Sequence, residues 1–481
     1  MRALIALIAI ALALWVLERD RAGVTLRTER VGDTPVTSVE APGADGPLVL
    51  VAHGFAGSRQ MMLGYAMPLA KAGYRVRVFD FLGHGRHTVP MSGDVNAVEG
   101  TTRRLVDQTR AMLDALPPDD RPVALLGHSM ATDILVRVAA EEDRTGPLVL
   151  ISAFSQEIDA SHPRDLLFVT GAWEAGLRGF AREAVQMVDP EADEGETVQA
   201  GAVIRRAVAA PHTEHVSVLH SRTGRAEAVA WLDRAYDRAP AAGQGRVPPT
   251  GWAILALLAG LVLLFAPVAR RLPERPVPPM DLTPRRLAAL TLLPAVVAPL
   301  VAVPLAPSWL PVLVADYLGL HLALFGLIQL ALLRFWRVPF GPFDIRAALV
   351  LALWCALFGL ALDRYAANFW PTAERGAIIA AFTLGAVPFM VADARCTRGA
   401  RLVHRALLRG AFLASLGLAV ALDFSGLFFL LMIAPVILLF FGVFGTMGGL
   451  AGRRTGPLAP GLVLGLTLAW ALGVSFPLFQ S

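Results

Sequence analysis

The sequence of 481 residues contains very little cysteine and almost no lysine. Its two cysteines are Cys355 and Cys396, so residues 1–350 contain none. This distribution excludes a disulfide framework, a thiol nucleophile and a cysteine-based zinc site from the first part of the chain. Lys71 is the single lysine, and arginine supplies the rest of the positive side-chain charge.

Two further absences limit the possible ligands. No H-E-x-x-H or similar ligand spacing occurs among the ten histidines, so the sequence gives no sign of a metal or other cofactor. His84 and His87 flank a glycine turn, and we expect them to make loop hydrogen bonds. The formal net charge is +4, and the excess arginine lies among hydrophobic segments instead of on a folded surface. This pattern argues against nucleic-acid binding.

Hydrophobic residues are abundant, at 55% of the chain with a mean hydropathy of +0.55, which predicts membrane spans. After a Pro/Gly-rich linker at 239–250, we predict a transmembrane domain of about eight helices over 251–481. The segments lie near 251–268, 287–306, 309–333, 347–363, 376–393, 406–422, 425–446 and 457–478. Residues 1–18 predict an N-terminal signal anchor in preference to a removed signal peptide, because no small-residue cleavage site follows the apolar core.

Arginine predicts the orientation of these spans. Of the 18 basic residues outside residues 18–246, 16 fall in loops on one side, and only Arg364 and Arg375 fall on the other. By the positive-inside rule, the arginine-rich side is the cytoplasm. We therefore predict a multi-pass protein of the bacterial inner membrane with its large front domain in the periplasm.

Residues 24–238 have the pattern of a single α/β domain. Apolar runs such as "GPLVLVAHG" and "RPVALLGHS" are typical of buried parallel strands, and helical stretches lie between them. Strands that alternate with helices predict a doubly wound, mostly parallel sheet covered on both faces.

The stretch "VALLGHSMATDI" at 123–134 has the pattern of a strand, a sharp turn and a helix around Ser129. A nucleophile elbow places serine on such a turn and needs small residues two positions before and after it, because strand and helix pack closely there. Gly127 meets this need. Ala131 replaces the usual glycine and adds one methyl group, so the sequence predicts an intact elbow.

Three motifs in order, "VAHGFAGS", "FDFLGHG" and "LLGHSMA", give residues 24–238 a resemblance to the α/β-hydrolase family. The resemblance implies that Ser129 is the nucleophile and that the backbone N–H groups of Phe55 and Met130 form an oxyanion hole. It also implies that Ser58 caps the helix after the first motif. The orienting acid would be Glu174 in "LLFVTGAWE", where the family usually has aspartate; Asp165 and Asp159 are the alternatives.

The general base would come from "PHTEHVSVLHS", which offers three histidines. His215 directly precedes the residues that lead into the last helix, as the histidine of the family does. His212 and His220 remain alternatives. Only about ten residues separate the strand after the elbow helix from the next strand, so we expect no sizeable lid. We hypothesise that the membrane half or the lipid surface covers the site instead.

Together these features predict a membrane-anchored serine hydrolase that cleaves carboxylic esters or thioesters, with lipidic substrates favoured by its location. Three alternatives remain: amide hydrolysis, acyl transfer by the same triad, and a non-catalytic binding module of a membrane transporter or channel. For the last of these, Asp316 and His321 within the third span are the candidate residues, because charged groups in spans are costly and are often functional. Asp363, Arg364 and Asp423 lie near predicted span ends.

Overall fold

The computed structural model describes residues 2–94, 98–239, 247–275, 277–305 and 307–480. Residues 240–246 of the predicted linker lie outside this part of the chain. The described residues form an α/β unit and a set of long apolar helices.

The α/β unit is built on one sheet of nine strands in the order β1-β2-β4-β3-β5-β6-β7-β9-β8. The strands are β1 (Thr25–Val31), β2 (Thr34–Glu40), β3 (Leu48–Ala52), β4 (Arg75–Phe79), β5 (Val123–His128), β6 (Thr145–Ile151), β7 (Asp165–Gly171), β8 (Thr197–Ala200) and β9 (Val203–Ala210). Neighbours from β4 to β9 pair in parallel, whereas β1, β2 and β8 pair antiparallel at the two edges. The prediction of a mostly parallel sheet is confirmed. The edge strand β8 was not apparent from the sequence, because it is short and mostly exposed.

Fifteen helices accompany the sheet in the described residues. They are α1 (Arg2–Arg21), α2 (Arg59–Lys71), α3 (Arg103–Asp114), α4 (Met130–Glu141), α5 (Ala175–Gln186), α6 (Arg222–Ala235), α7 (Thr250–Ala269), α8 (Pro284–Leu305), α9 (Ala315–Phe335), α10 (Ile345–Tyr365), α11 (Ala373–Cys396), α12 (Leu402–Leu422), α13 (Phe424–Leu427), α14 (Leu430–Thr455) and α15 (Leu458–Ser475). Separate apolar clusters lie on the two faces of the sheet, as expected for a sheet with helices on both sides.

Eight of the described helices are long and apolar enough to cross a membrane, namely α7 to α12, α14 and α15. This agrees with the predicted number of spans, but the bounds of two spans differ from the prediction by five residues or more. The span predicted at 309–333 begins at Ala315, because the Asp316 carboxylate accepts hydrogen bonds from the backbone of Trp309 and Leu310 at 3.0 and 2.8 Å. The span predicted at 425–446 begins at Leu430, after the short α13, whose N-terminus is capped by Asp423.

The arginine-rich loops of the helical part meet at one end. Arg275 N donates to the carbonyl of Arg454 at 2.8 Å, and Arg395 and Arg398 donate to the carbonyls of Pro339 and Val277, both at 2.8 Å. The α/β unit contacts the loops at the opposite ends of these helices. Most of the positive charge of the helical part therefore lies away from the α/β unit.

The α/β unit is held on the helices by polar and apolar contacts. Arg86, in the loop after β4, forms a two-pronged ion pair with Asp363 of α10 at 2.8 and 2.7 Å. The segment after α15 pairs with the same loop, since Met91 and Leu478 share a hydrogen bond of 2.9 Å and Phe479 joins the apolar cluster under the sheet. The first helix α1 packs on α7 through Leu17 and neighbouring residues. Ser58 occupies the predicted N-cap position of α2, but its side chain makes no cap hydrogen bond, because its hydroxyl accepts from the Asn368 N–H at 3.1 Å instead.

Candidate active site

Ser129 lies on a sharp turn between β5 and α4. Its φ is 53° and its ψ is −121°, a conformation that is unfavourable for any residue except glycine and costs about 1–3 kcal/mol. The turn is held by two hydrogen bonds: Ser129 N donates to the Ile151 carbonyl at 2.9 Å, and Thr132 N donates to the Ser129 carbonyl at 2.8 Å. The strained backbone exposes the serine hydroxyl at the carboxyl end of the central strand.

The close packing at this turn explains the small residues around it. A Cβ atom at Gly127 would lie 2.7 Å from Leu135 Cδ1 and 3.2 Å from Ala131 Cβ. A Cβ atom at Gly54 would lie 2.9 Å from Ser129 Cβ. Ala131 is fully buried, so the turn accommodates its methyl group as long as residue 127 is glycine.

Three predicted residues form one hydrogen-bonded chain. His215 Nε2 lies 2.8 Å from Ser129 Oγ, and His215 Nδ1 lies 2.6 Å from Glu174 Oε1. Each residue follows a different parallel strand (β5, β7 and β9), and the carboxyl ends of these strands lie at the same edge of the sheet.

Glu174 is buried and well supplied with donors. Its Oε2 atom accepts from the Ser152 hydroxyl at 2.7 Å and from Gly171 N at 2.6 Å. Burial opposes ionisation, but the hydrogen bonds from His215, Ser152 and Gly171 outweigh it and lower the pKa of the Glu174 carboxyl below its ordinary value. An ionised Glu174 can only accept, so His215 Nδ1 carries a proton and Nε2 is free to accept from the Ser129 hydroxyl.

His128 supports the loop that carries His215. Its Nε2 lies 2.8 Å from the His215 carbonyl, to which it donates, and the two rings are 4.9 Å apart. Burial, together with the neighbouring His215, lowers the pKa of His128 to about 4. His128 is therefore uncharged at neutral pH and holds the loop through a neutral hydrogen bond.

The two amides of the predicted oxyanion hole flank the serine. Met130 N begins α4, and Phe55 N belongs to the turn directly after Gly54, which touches Ser129. Neither amide donates a hydrogen bond to another group among the described residues. His53 positions the turn, since its Nδ1 donates to the Gly54 carbonyl at 2.8 Å and its Nε2 accepts from Phe81 N at 3.1 Å.

The alternative candidates lie elsewhere. Asp165 pairs with Arg234 at the opposite end of β7, and Asp159 accepts hydrogen bonds within its own loop. His212 is exposed in a turn with a φ of 57°. His220 lies 3.4 Å from the Thr250 hydroxyl at the base of α7. The structure brings none of these four to Ser129.

A pocket of about 450 Å³ opens in front of Ser129 and His215. Its lining residues all belong to the α/β unit: Thr102, Ser129, Met130, Asp133, Ile134, Arg137, Ser152, Phe154, Gln156, Leu177 and His215. The segment from β6 to β7 is short, as predicted, and the His215 side chain is 44% exposed. None of the described residues of the long helices lines this pocket, so the hypothesis that the membrane half covers the site gains no support from its lining.

Sequence reasoning missed Ser152 and the role of His128. Ser152 follows β6 at the same edge of the sheet as the catalytic candidates and has a φ of 50°. A polar residue directly after a buried parallel strand was the available signal, but it did not single out Ser152.

The charged and polar groups predicted in or near the spans have local partners. His321 contacts the hydroxyls of Tyr317 and Ser415 at 2.9 and 3.0 Å, and Arg364 pairs with Glu18 of α1 at 2.8 Å. No group of three potential metal ligands occurs among the described residues. His84 and His87 make loop hydrogen bonds with Leu82 and Val89, as expected.

Comparison with known proteins supports the fold. Residues 47–188 match the family described as alpha/beta hydrolase fold, which confirms the resemblance seen in the sequence. The match includes Phe55, Ser129 and Glu174 and ends before His215. No curated protein matches the sequence.

Several solved structures are similar at low identity. A predicted CIB-like hydrolase from Thermoplasma acidophilum is 15% identical over 44% of this chain and 100% of its own, with a TM-score of 0.35. A membrane phospholipase A described as a bacterial virulence factor is 15% identical over 48% of this chain and 93% of its own, with a TM-score of 0.32. A serine hydrolase involved in carbazole degradation is 15% identical over 44% of this chain and 99% of its own, with a TM-score of 0.33. At these scores the likeness supports no statement about activity.

Proposed function

We propose that this protein is a membrane-anchored serine hydrolase that cleaves carboxylic esters or thioesters. The observation that carries the proposal is the hydrogen-bonded chain from Ser129 through His215 to the buried Glu174 carboxylate. A hydroxyl at its ordinary pKa is a weak nucleophile, and an adjacent base oriented by a third group activates it.

In the first step, Ser129 Oγ attacks the carbonyl carbon while its proton passes to His215 Nε2. The charge that develops on the carbonyl oxygen is stabilised by the N–H groups of Phe55 and Met130, each of which contributes about 3–4 kcal/mol. The imidazolium of His215 is stabilised by ionised Glu174. Collapse of the tetrahedral intermediate breaks the bond between the carbonyl carbon and the oxygen or sulfur of the leaving group. His215 gives its proton to the leaving alcohol or thiol.

In the second step, water attacks the acyl group on Ser129 and gives a proton to His215. The bond between the carbonyl carbon and Ser129 Oγ then breaks, the acid leaves, and the proton returns to the serine. The exposed pocket in front of His215 supports this step because water can reach the acyl group from that side.

We further propose that the α/β unit lies on the periplasmic side of a bacterial inner membrane. The arginine-rich loops gather at the ends of the long helices away from this unit, and such loops are typically cytoplasmic. The enzyme would then meet its substrates at the outer surface of that membrane.

Labelling of the full-length protein in detergent with a fluorophosphonate probe tests the proposed activity. We expect wild type to be labelled, and Ser129→Ala and His215→Ala to lose labelling. His212→Ala is the matched control, since it removes an exposed histidine of the same loop that does not contact Ser129. Folded wild type that resists labelling, or labelling that survives in Ser129→Ala, would refute the proposal.

A further inference from the structure

A second, apolar cavity of about 100 Å³ lies between the α/β unit and the long helices. Its lining residues are Phe55, Ala56, Leu313, Phe429, Met432, Ile433, Val436, Leu472, Ser475, Phe476, Pro477 and Phe479, which we call the interface groove. Among these, Ser475 has the one polar side chain, and its hydroxyl already donates to the Ala471 carbonyl at 2.7 Å. The interface groove therefore offers no free side-chain donor among its lining residues and suits an apolar ligand.

The interface groove begins next to the nucleophile. Phe55 and Ala56 directly follow Gly54, which is in contact with Ser129, and Phe55 supplies one of the two predicted oxyanion amides. The Phe55 ring packs on Phe429 at a centroid distance of 5.5 Å, so the α/β unit and α14 share this wall. Phe55 therefore joins the wall of the groove to the turn that contacts Ser129.

The other end of the groove faces the lipid side of the helices. Met432 and Val436 are 50% and 40% exposed on α14, whereas Ile433 is 5% exposed and faces inward. Since α14 is among the helices apolar enough to cross a membrane, its exposed apolar side chains are suited to contact hydrocarbon. An acyl chain can enter between Met432 and Val436 without passing through water.

The pocket on the other side of Ser129 is larger and mixed in chemistry. Apolar side chains such as Ile134 and Phe154 line it beside Thr102 and Gln156, which can hydrogen-bond to a hydrated group. An ester can therefore place its acyl chain in the apolar groove and its alcohol side in the mixed pocket while its carbonyl lies at Ser129.

We propose that the interface groove binds the acyl chain of a membrane lipid ester and that the mixed pocket in front of Ser129 receives its alcohol side. This inference rests on the proposed hydrolase activity and assigns its substrate class. The membrane helices would then form part of the substrate site in addition to anchoring the enzyme.

The test compares a short-chain and a long-chain nitrophenyl ester on the full-length protein in detergent. The variants Met432→Trp and Val436→Trp each fill the groove from its lipid end. Two positions are used so that the test still stands if one of the variants folds poorly. Leu431→Trp is the matched control, because Leu431 is 47% exposed on the same helix and does not line the groove. We expect the ratio of kcat/KM for the long ester to that for the short ester to fall by about tenfold or more in the groove variants and to stay within about twofold in the control.

Fluorophosphonate labelling of the same samples separates the two proposals. Labelled groove variants whose chain-length ratio equals that of wild type would overturn the groove assignment and leave the hydrolase activity standing. An equal fall of the ratio in Leu431→Trp would also overturn it, since the effect would then come from the helix surface in general. Absence of both labelling and turnover in folded wild type would overturn the hydrolase activity itself.

Discussion

Replacement of Glu174 by glutamine gives the sharpest prediction about the candidate site. Glutamine has nearly the same shape as glutamate, but one of its two terminal atoms is an NH₂ group that can only donate. In the native site, Oε2 faces the backbone N–H of Gly171 at 2.6 Å, and Oε1 faces His215 Nδ1 at 2.6 Å. The Gly171 amide cannot change its role, so the glutamine oxygen must face it and the NH₂ group must face His215.

This orientation forces His215 into the wrong tautomer. Its Nδ1 would accept from the glutamine amide, and its Nε2 would carry the proton and point it at Ser129, so that it could not act as a base. Loss of the orienting carboxylate in a serine triad typically costs about 10⁴-fold in kcat, which corresponds to about 5.5 kcal/mol of transition-state stabilisation.

The assay is the kcat for a short nitrophenyl ester on the purified full-length protein, with thermal unfolding as the check on folding. Glu174→Asp is the control, because it keeps the charge and places the residue usual in the resembled family at this position. We expect it to lose much less activity, about tenfold. A Glu174→Gln enzyme that stays folded and within tenfold of wild type would refute the tautomer argument and the assignment of Glu174.

Three further predictions concern stability. Because Ser129 has a φ of 53°, which glycine adopts without strain, the unfolding free energy of Ser129→Gly should exceed that of Ser129→Ala by about 1 kcal/mol in thermal unfolding. Equal stability of the two variants would argue against strain at this turn. Burial lowers the pKa of His128 in the folded protein to about 4, so between pH 6.5 and pH 4 the unfolded chain binds one more proton than the folded one. The free energy of unfolding should therefore fall by about 3 kcal/mol as the pH is lowered through that interval. In His128→Gln, the unfolding free energy should depend less steeply on pH over this interval, by the uptake of one proton on unfolding. An unchanged pH dependence would show that His128 takes up no proton on unfolding. A double-mutant cycle of Arg86→Ala and Asp363→Ala, followed by thermal unfolding, should give a coupling of about 1 kcal/mol, and a coupling of zero would mean that this pair does not hold the α/β unit on the helices.

The sequence predicted those parts of the fold that depend on local patterns. Buried apolar runs of five to seven residues located the central strands, and small residues around Ser129 indicated a close approach of strand and helix that the packing at Gly127 bears out. His215 and Glu174 could be proposed because the resemblance to the α/β-hydrolase family implies a base and an acid at their places in the chain. Their roles stay predictions until the variants are measured.

The features that sequence reasoning missed depend on contacts between distant segments. Nothing near Ser58 in the chain indicates that its hydroxyl binds Asn368, more than 300 positions away. The start of α9 depends on Asp316 reaching back to the backbone of Trp309, which hydropathy alone does not register. Ser152 acquires its role only when β6 is placed beside β7.

The pairing of the segment after α15 with the loop after β4 has a consequence for the order of assembly. Arg104 of the α/β unit bonds to Gln480, a residue 376 positions later, and Phe479 fills part of the apolar cluster beneath the sheet. During synthesis, the α/β unit emerges long before these residues exist, and its loops around Phe55 and Met91 stay uncovered until α15 and the segment after it are in place. Completion of the α/β unit therefore waits for completion of the helical part, so a chain stalled midway through synthesis would lack both its final packing and the wall beside Ser129.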